Sequence, residues 1–90
     1  MSVVLDEYGL LRFGDAWISL SPTQEVIMRE LIAHLDTVVT RTQLAAVAWP
    51  SGGPDRHAID VHIHKLRSRL DGLGLVIHTV RGRGFLLEGR

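Results

Sequence analysis

Two stretches of this chain carry the same helix-starting device. Ser21-Pro22-Thr23-Gln24 and Thr40-Arg41-Thr42-Gln43 each place a hydroxyl residue three positions before a glutamine. A Ser or Thr there accepts from the backbone N–H three residues on, and the Gln reaches back to the cap's own N–H, so two orphaned donors are satisfied together. Pro22 suits the first helical position, where no N–H is needed. Behind the first signature, Ile27, Met28, Leu31, Ile32 and Leu35 recur at helical spacing and predict a helix of about thirteen residues with one apolar face. Behind the second, Leu44, Val47 and Ala48 form a shorter face. It ends at Trp49-Pro50, because proline lacks a donor and restricts the residue before it.

A third helix is expected from Asp55, on the stripe Ile59, Ile63, Leu66 and Leu70, with Asp71-Gly72-Leu73-Gly74 as its stop. Ser51-Gly52-Gly53-Pro54 has no periodicity and reads as a connection. Upstream of the helices, Val3–Leu5, Leu10–Phe13 and Ala16–Leu20 are strand-like runs separated by turns at 6–9 and 14–15, which together make a small antiparallel meander. Downstream, Val76–Val80 and Phe85–Leu87 are strand-like and joined by Arg81-Gly82-Arg83-Gly84, a hairpin or bulge. The expected fold is α+β and a single domain over 1–90, with N-terminal strands at 1–20, a three-helix core at 21–71 and a terminal hairpin at 75–88.

Ninety residues with 46% apolar content suffice for one domain and exclude a two-domain enzyme with a cleft between its halves. The chain has no cysteine, which excludes disulfides, thiol catalysis and thiolate zinc sites, so folding must rest on ordinary packing. Its longest apolar run, Leu44 to Pro50, is far shorter than the ~20 residues of a membrane span, and its acidic opening is unlike a signal peptide. No membrane association and a cytoplasmic location are the expectation.

The net charge of zero hides an uneven distribution. Residues 1–50 hold six acids against three Arg, whereas residues 51–90 hold seven bases against four acids, with four of the five His. With Ile59 as origin on a helical wheel, Ile63, Leu66 and Leu70 fall within about 40° of it. His57, Val61, His64 and Ser68 fall at about 140–200°, and Lys65 near 240°. Two imidazoles, an ammonium, a hydroxyl and a small apolar side chain opposite a buried stripe suit a major groove. Lys65 can donate to guanine, His can donate or accept, and Val61 can touch a thymine methyl. Arg67 and Arg69 flank that face, nearer to where phosphates would run. Arg81 and Arg83 on a Gly-spaced turn can enter a minor groove or lie against phosphates.

The chain also resembles a known family, the winged-helix DNA-binding (effector) domain of OmpR/PhoB-type bacterial two-component response regulators. The stretches that carry the resemblance are Leu20-Ser-Pro-Thr23, Val38-Val-Thr-Arg-Thr-Gln-Leu44, Trp49, Ala58-Ile-Asp-Val-His-Ile-His-Lys-Leu-Arg-Ser-Arg-Leu70 and Thr79-Val-Arg-Gly-Arg-Gly-Phe85. The resemblance implies a winged helix-turn-helix, with the third helix as recognition helix and the terminal hairpin as the wing. It implies a bacterial transcription regulator that binds double-stranded DNA sequence-specifically. His57, His64, Lys65 and Arg67 match DNA-facing positions, and His62 matches one that touches the backbone. Thr79 matches a phosphate contact and Arg81 a minor-groove contact. The loop 50–56 matches a segment that in relatives can touch RNA polymerase or set the protein's spacing on DNA, and relatives often bind direct repeats as two copies in tandem. The sequence departs from the pattern at His57 and His64, where Arg or Asn is commoner, and at Glu25, where an aromatic is usually buried and a partly wet edge is expected instead. The receiver domain that precedes this unit in the family has no counterpart in these residues, so the chain is expected to be an excised effector domain or a natural single-domain protein.

Other classes fit less well. His57 and His64 share a face but lie about 10 Å apart, and His62 points elsewhere, so neither a metal site nor an enzyme with a cofactor is expected. A double-stranded RNA reader is disfavoured because the groove of A-form RNA excludes a helix. A winged helix that docks protein instead of DNA is the rival reading. It differs in salt response, since an apolar dock releases few counterions.

Overall fold

The structure, a computed structural model, describes residues 2–89; Met1 and Arg90, the latter one of the seven bases of the second half, lie outside the described residues. Three strands come first, β1 (Val3–Leu5), β2 (Leu10–Phe13) and β3 (Ala16–Ser19), paired antiparallel in the order β1-β2-β3. Leu11 faces Leu5 on one side and Ile18 on the other, which sets the alternation by which Leu11 and Phe13 are buried while Arg12 and Trp17 are exposed. Three helices follow, α1 (Pro22–Ala33), α2 (Arg41–Ala48) and α3 (Ala58–Leu70), and then a hairpin of β4 (Leu75–Val80) and β5 (Gly84–Gly89).

Both capping boxes form as the sequence predicts. Gln24 N–H donates to Ser21 Oγ at 3.3 Å and Gln43 N–H to Thr40 Oγ1 at 3.1 Å, while each Gln Oε1 accepts from its cap's N–H at 3.1 and 2.9 Å. Ile27, Met28 and Leu31 are fully buried, and Leu44 anchors α2. Leu35 does not join them: α1 stops at Ala33, and Leu35 is 41% exposed. The reason is tertiary, because the chain turns at once to reach the hairpin. Asp36 takes a positive φ of 62° and its N–H donates to Leu87 O at 3.0 Å.

The third helix also starts later than the expected Asp55, at Ala58. Residues 55–57 form a lead-in turn in which Ala58 N–H donates to Asp55 O at 2.8 Å and His57 N–H to Asp55 Oδ1 at 2.9 Å. Beyond it, Ile59, Ile63, Leu66 and Leu70 are all buried. They pack with Leu11, Phe13, Ile27, Leu31, Leu44, Ile77, Phe85 and Leu87 into one core, in which each fully buried Leu or Ile is worth roughly 1.5–3 kcal/mol.

The hairpin is tied to the body by backbone. Val39 and Phe85 exchange hydrogen bonds of 2.7 and 2.9 Å as an isolated antiparallel bridge. Gly84 makes this approach possible: its φ is 154°, and a Cβ there would lie 2.2 Å from Val39 O. Gly82, with φ of 74° and open space around it, has the simpler task of turning the hairpin tip.

Candidate nucleic-acid interface

Because the apolar stripe of α3 is swallowed by the core, its other side faces solvent by necessity. Val61 is 54% exposed, and His64, Lys65 and Ser68 are exposed beside it. His57 stands at the cap of α3, exposed, with Nδ1 3.8 Å from Asp60 Oδ2 and Nε2 4.0 Å from Asp55 Oδ1. His62, which the wheel puts at the edge of the core, is half-buried, and its ring lies 5.8 Å from that of Trp49 at 53°. The loop before α3 packs on the same tryptophan, since a Cβ at Gly53 would meet Trp49 Cβ at 2.8 Å.

The arginines of α3 have partners within the protein. Arg67 forks onto the wing strand, with Nε 3.0 Å and Nη2 2.8 Å from Ile77 O, and Nη2 2.7 Å from Thr79 Oγ1. Arg69 donates to the carbonyl of Ser19 at the end of β3, which fastens the meander to the helix. Lys65, Arg81 and Arg83 are exposed and form no ion pair among the described residues. Thr79, exposed on β4, accepts from Arg67 and keeps its own O–H for donation.

The fold adds residues that sequence reasoning missed. Beside the expected His57 and Arg83, Thr40, Arg41 and Thr42 at the start of α2, Arg56 before α3 and Gly82 of the wing turn line one open groove. Thr40 and Arg41 were legible only as a helix start, and Arg56 only as part of a loop. Arg41 is half-buried: Nη2 lies 2.9 Å and Nε 3.0 Å from Asp60 Oδ1, and its guanidinium carbon is 4.8 Å from the centroid of Phe85. Asp60, the acid of the first turn of α3, is thereby neutralised next to a basic surface. The result is a donor-rich groove between the start of α2, the lead-in to α3 and the hairpin tip, with Asp60 compensated by Arg41 and Asp55 exposed beside His57. Such an arrangement presents fixed cations to a polyanion.

Among the described residues, no helix is long and apolar enough to cross a membrane, and no group of three or more His, Asp or Glu is placed to hold a metal ion.

The chain is 36% identical over 81 residues to a response regulator, MprA, of Mycobacterium leprae, a match covering 83% of this chain and 34% of that protein. It spans about a third of the length of the curated relatives it matches. Among solved structures, the C-terminal domain of the nisin resistance regulator NsrR superposes with a TM-score of 0.83 at 34% identity, over 97% of this chain and 91% of that one. The RstA DNA-binding domain of Klebsiella pneumoniae, solved in complex with RstA box, has the same fold, with a TM-score of 0.78 at 24% identity over 98% of this chain and 92% of that one. The family described as "Transcriptional regulatory protein, C terminal" matches residues 14–87, so most of the chain, from the second strand turn to the wing, falls within one family model. The chain belongs to that family, and its fold is the winged helix-turn-helix of OmpR/PhoB-type effector domains.

Proposed function

We propose that this chain regulates transcription by binding double-stranded DNA sequence-specifically, with α3 in the major groove and the wing on the backbone or in the minor groove. The observation that carries this reading is the exposed face of Val61, His64, Lys65 and Ser68 beside the free Arg81 and Arg83 of the wing turn. An α-helix fits a major groove, and an arginine-bearing hairpin next to it fits the adjacent minor groove or its phosphates. RstA's domain, of the same fold, has been solved in complex with RstA box, which supports the assignment.

In this reading Lys65 and His64 address base edges, and Val61 meets a thymine methyl. His57, Ser68 and Thr79 address phosphates, as do Arg81 and Arg83 where they do not enter the groove. His62, Arg67 and Arg69 border the surface; each already has a partner in the protein and serves DNA with whatever donors remain. Loop 50–56, exposed throughout, is assigned to contact with RNA polymerase, and direct repeats would seat two copies in tandem. The protein acts in the cytoplasm, at the nucleoid when bound.

Selection of bound fragments from a random duplex pool tests the reading and reports motif and repeat spacing together. An enriched motif, bound with an affinity that falls steeply as salt rises, is expected. Failure to enrich any sequence, with weak salt dependence, would leave the protein-docking module as the reading that stands.

A further inference from the structure

The wing is held to the recognition helix by a set of side chains of which only Arg67 and Thr79 enter the reading above. Asp60, on the first turn of α3, binds Arg41 of α2 through Nε (3.0 and 3.2 Å) and Nη2 (2.9 Å). Arg41 in turn lies over the ring of Phe85, the first residue of the wing strand after Gly84, at 4.8 Å. Arg67, two turns along α3, approaches the same ring at 5.9 Å while its other donors grip Ile77 O and Thr79 Oγ1 on β4. A cation within about 6 Å of an aromatic centroid is attracted to the ring, and more so where water is partly excluded. Phe85 is 2% exposed, so its ring is fixed in the core. Asp60, Arg41, Phe85 and Arg67 therefore connect α3, α2 and both wing strands.

We propose that this joint sets the angle between wing and recognition helix, and that Asp60 and Arg67 are positioning residues for DNA reading. The proposal rests on the DNA-binding reading for its purpose, though not for its existence. Two contacts on one rigid body reinforce each other because the second forms without a further ordering cost, and slack between them forfeits that gain. Asp60 gives the idea a sign. It is an acid on the side of the molecule that would meet phosphates, so by charge alone its neutralisation should tighten binding. As a positioning residue its neutralisation should loosen the wing and weaken binding.

The test has a DNA-independent arm and a DNA-dependent arm, both on the whole chain with unfolding followed in parallel. In the free protein, Asp60→Asn should speed amide exchange at Arg83 and Phe85 by about tenfold or more while the amides of α1 stay protected. Unchanged exchange at Phe85 would overturn the joint whatever DNA does. On a duplex recovered by selection with the wild type, Asp60→Asn and, separately, Arg67→Lys should each weaken binding by about tenfold. In an Arg81→Ala/Arg83→Ala background, where the wing has lost both cations of its tip, each should cost less, about threefold or under. Tighter binding by Asp60→Asn, or an equal loss from either variant in both backgrounds, would overturn the positioning role, the latter outcome making that residue a direct contact or a general support. If no duplex is selected, the DNA reading fails while the exchange result still decides whether the joint exists.

Discussion

The molecule contains two small antiparallel sheets, and arginine meets their ends in opposite ways. At the N-terminal meander, arginines of the helices reach onto the strand ends, while the meander's own Arg12 stays exposed. Arg29 of α1 donates to Leu5 O at 3.1 Å and to Asp6 O, and pairs with Glu25 at 2.7 Å, while Arg69 reaches from α3 to Ser19 O. Each of these arginines closes a strand end against a helix. At the tip of the wing the order is reversed, although Arg67 staples β4 at Ile77 O farther down: Arg81 and Arg83 sit on a turn in which Arg83 N–H donates to Val80 O at 2.9 Å. Neither side chain has an acceptor in reach among the described residues, so both remain available to something outside. One residue type thus serves as an internal staple where a strand end leaves carbonyls open, and as a surface cation where the turn satisfies its own backbone.

The contrast breaks most severely if the wing loses its attachment. Gly84→Val would drive a side chain into Val39 O and impose a left-handed backbone on a β-branched residue, so a loss of about 3 kcal/mol or more is expected. Thermal unfolding would register it as a fall of more than 10 °C at roughly 4–8 °C per kcal/mol, and an unchanged midpoint would show that the Val39–Phe85 bridge carries little.

Lys65→Ala sharpens the functional side. It should weaken binding to a selected duplex by about 1–3 kcal/mol and affect random duplex less. Equal losses on both duplexes would make Lys65 a phosphate contact.

A third comparison sets the two kinds of arginine against each other. Arg81→Ala combined with Arg83→Ala should leave the unfolding midpoint in place and lower the slope of log affinity against log salt by up to about 2. Arg29→Ala should do the reverse, costing about 1 kcal/mol of stability with no change in the salt slope. Any crossover between these readouts would erase the distinction between staples and free cations.

The smallest effect concerns acid. Asp6 Oδ1 accepts from the N–H groups of Leu10 at 3.0 Å and Tyr8 at 2.8 Å. The Leu10 bond above all, with help from the Tyr8 bond and from Arg12 and Arg29, lowers its pKa below the ordinary 3.8. A carboxylate whose folded pKa is depressed stabilises the fold above its unfolded pKa, and that contribution is lost as pH falls through the lower, folded value. Asp6→Asn should therefore unfold slightly more easily than the wild type at pH 7, and the difference should shrink as pH falls below about 4, which acid and neutral unfolding curves of the two proteins would show. Identical acid titrations would remove Asp6 from the list of groups that hold the meander's first turn.

Much of this was legible in the sequence because it is local. The boxes at Ser21 and Thr40 satisfy backbone donors within one turn, and the stripe Ile59, Ile63, Leu66, Leu70 follows from 3.6 residues per turn, so the solvent face of Val61, His64, Lys65 and Ser68 follows as well. The family resemblance supplied the wing and the likeness to known regulators. The partly wet edge expected at Glu25 is a half-buried carboxylate paired with the exposed Arg29. Leu35 shows the limit of such reasoning: its spacing belongs to the stripe of α1, yet the helix ends before it.

What tertiary structure alone decided depends on acceptors that no periodicity announces. Arg67 and Arg69 look alike on a wheel, two cations flanking a face, but Ile77 O and Ser19 O come within reach only when β4 and β3 end beside α3. Arg41 and Asp60 are 19 residues apart in the chain and meet because α2 and α3 pack. Gly84 reads as an ordinary turn glycine until Val39 O arrives 2.2 Å from where a Cβ would stand. Local hydrogen bonds and apolar spacing are written in the order of residues. Which charges are consumed by the fold and which are left at the surface depends on where backbone carbonyls lie once the strands and helices have packed.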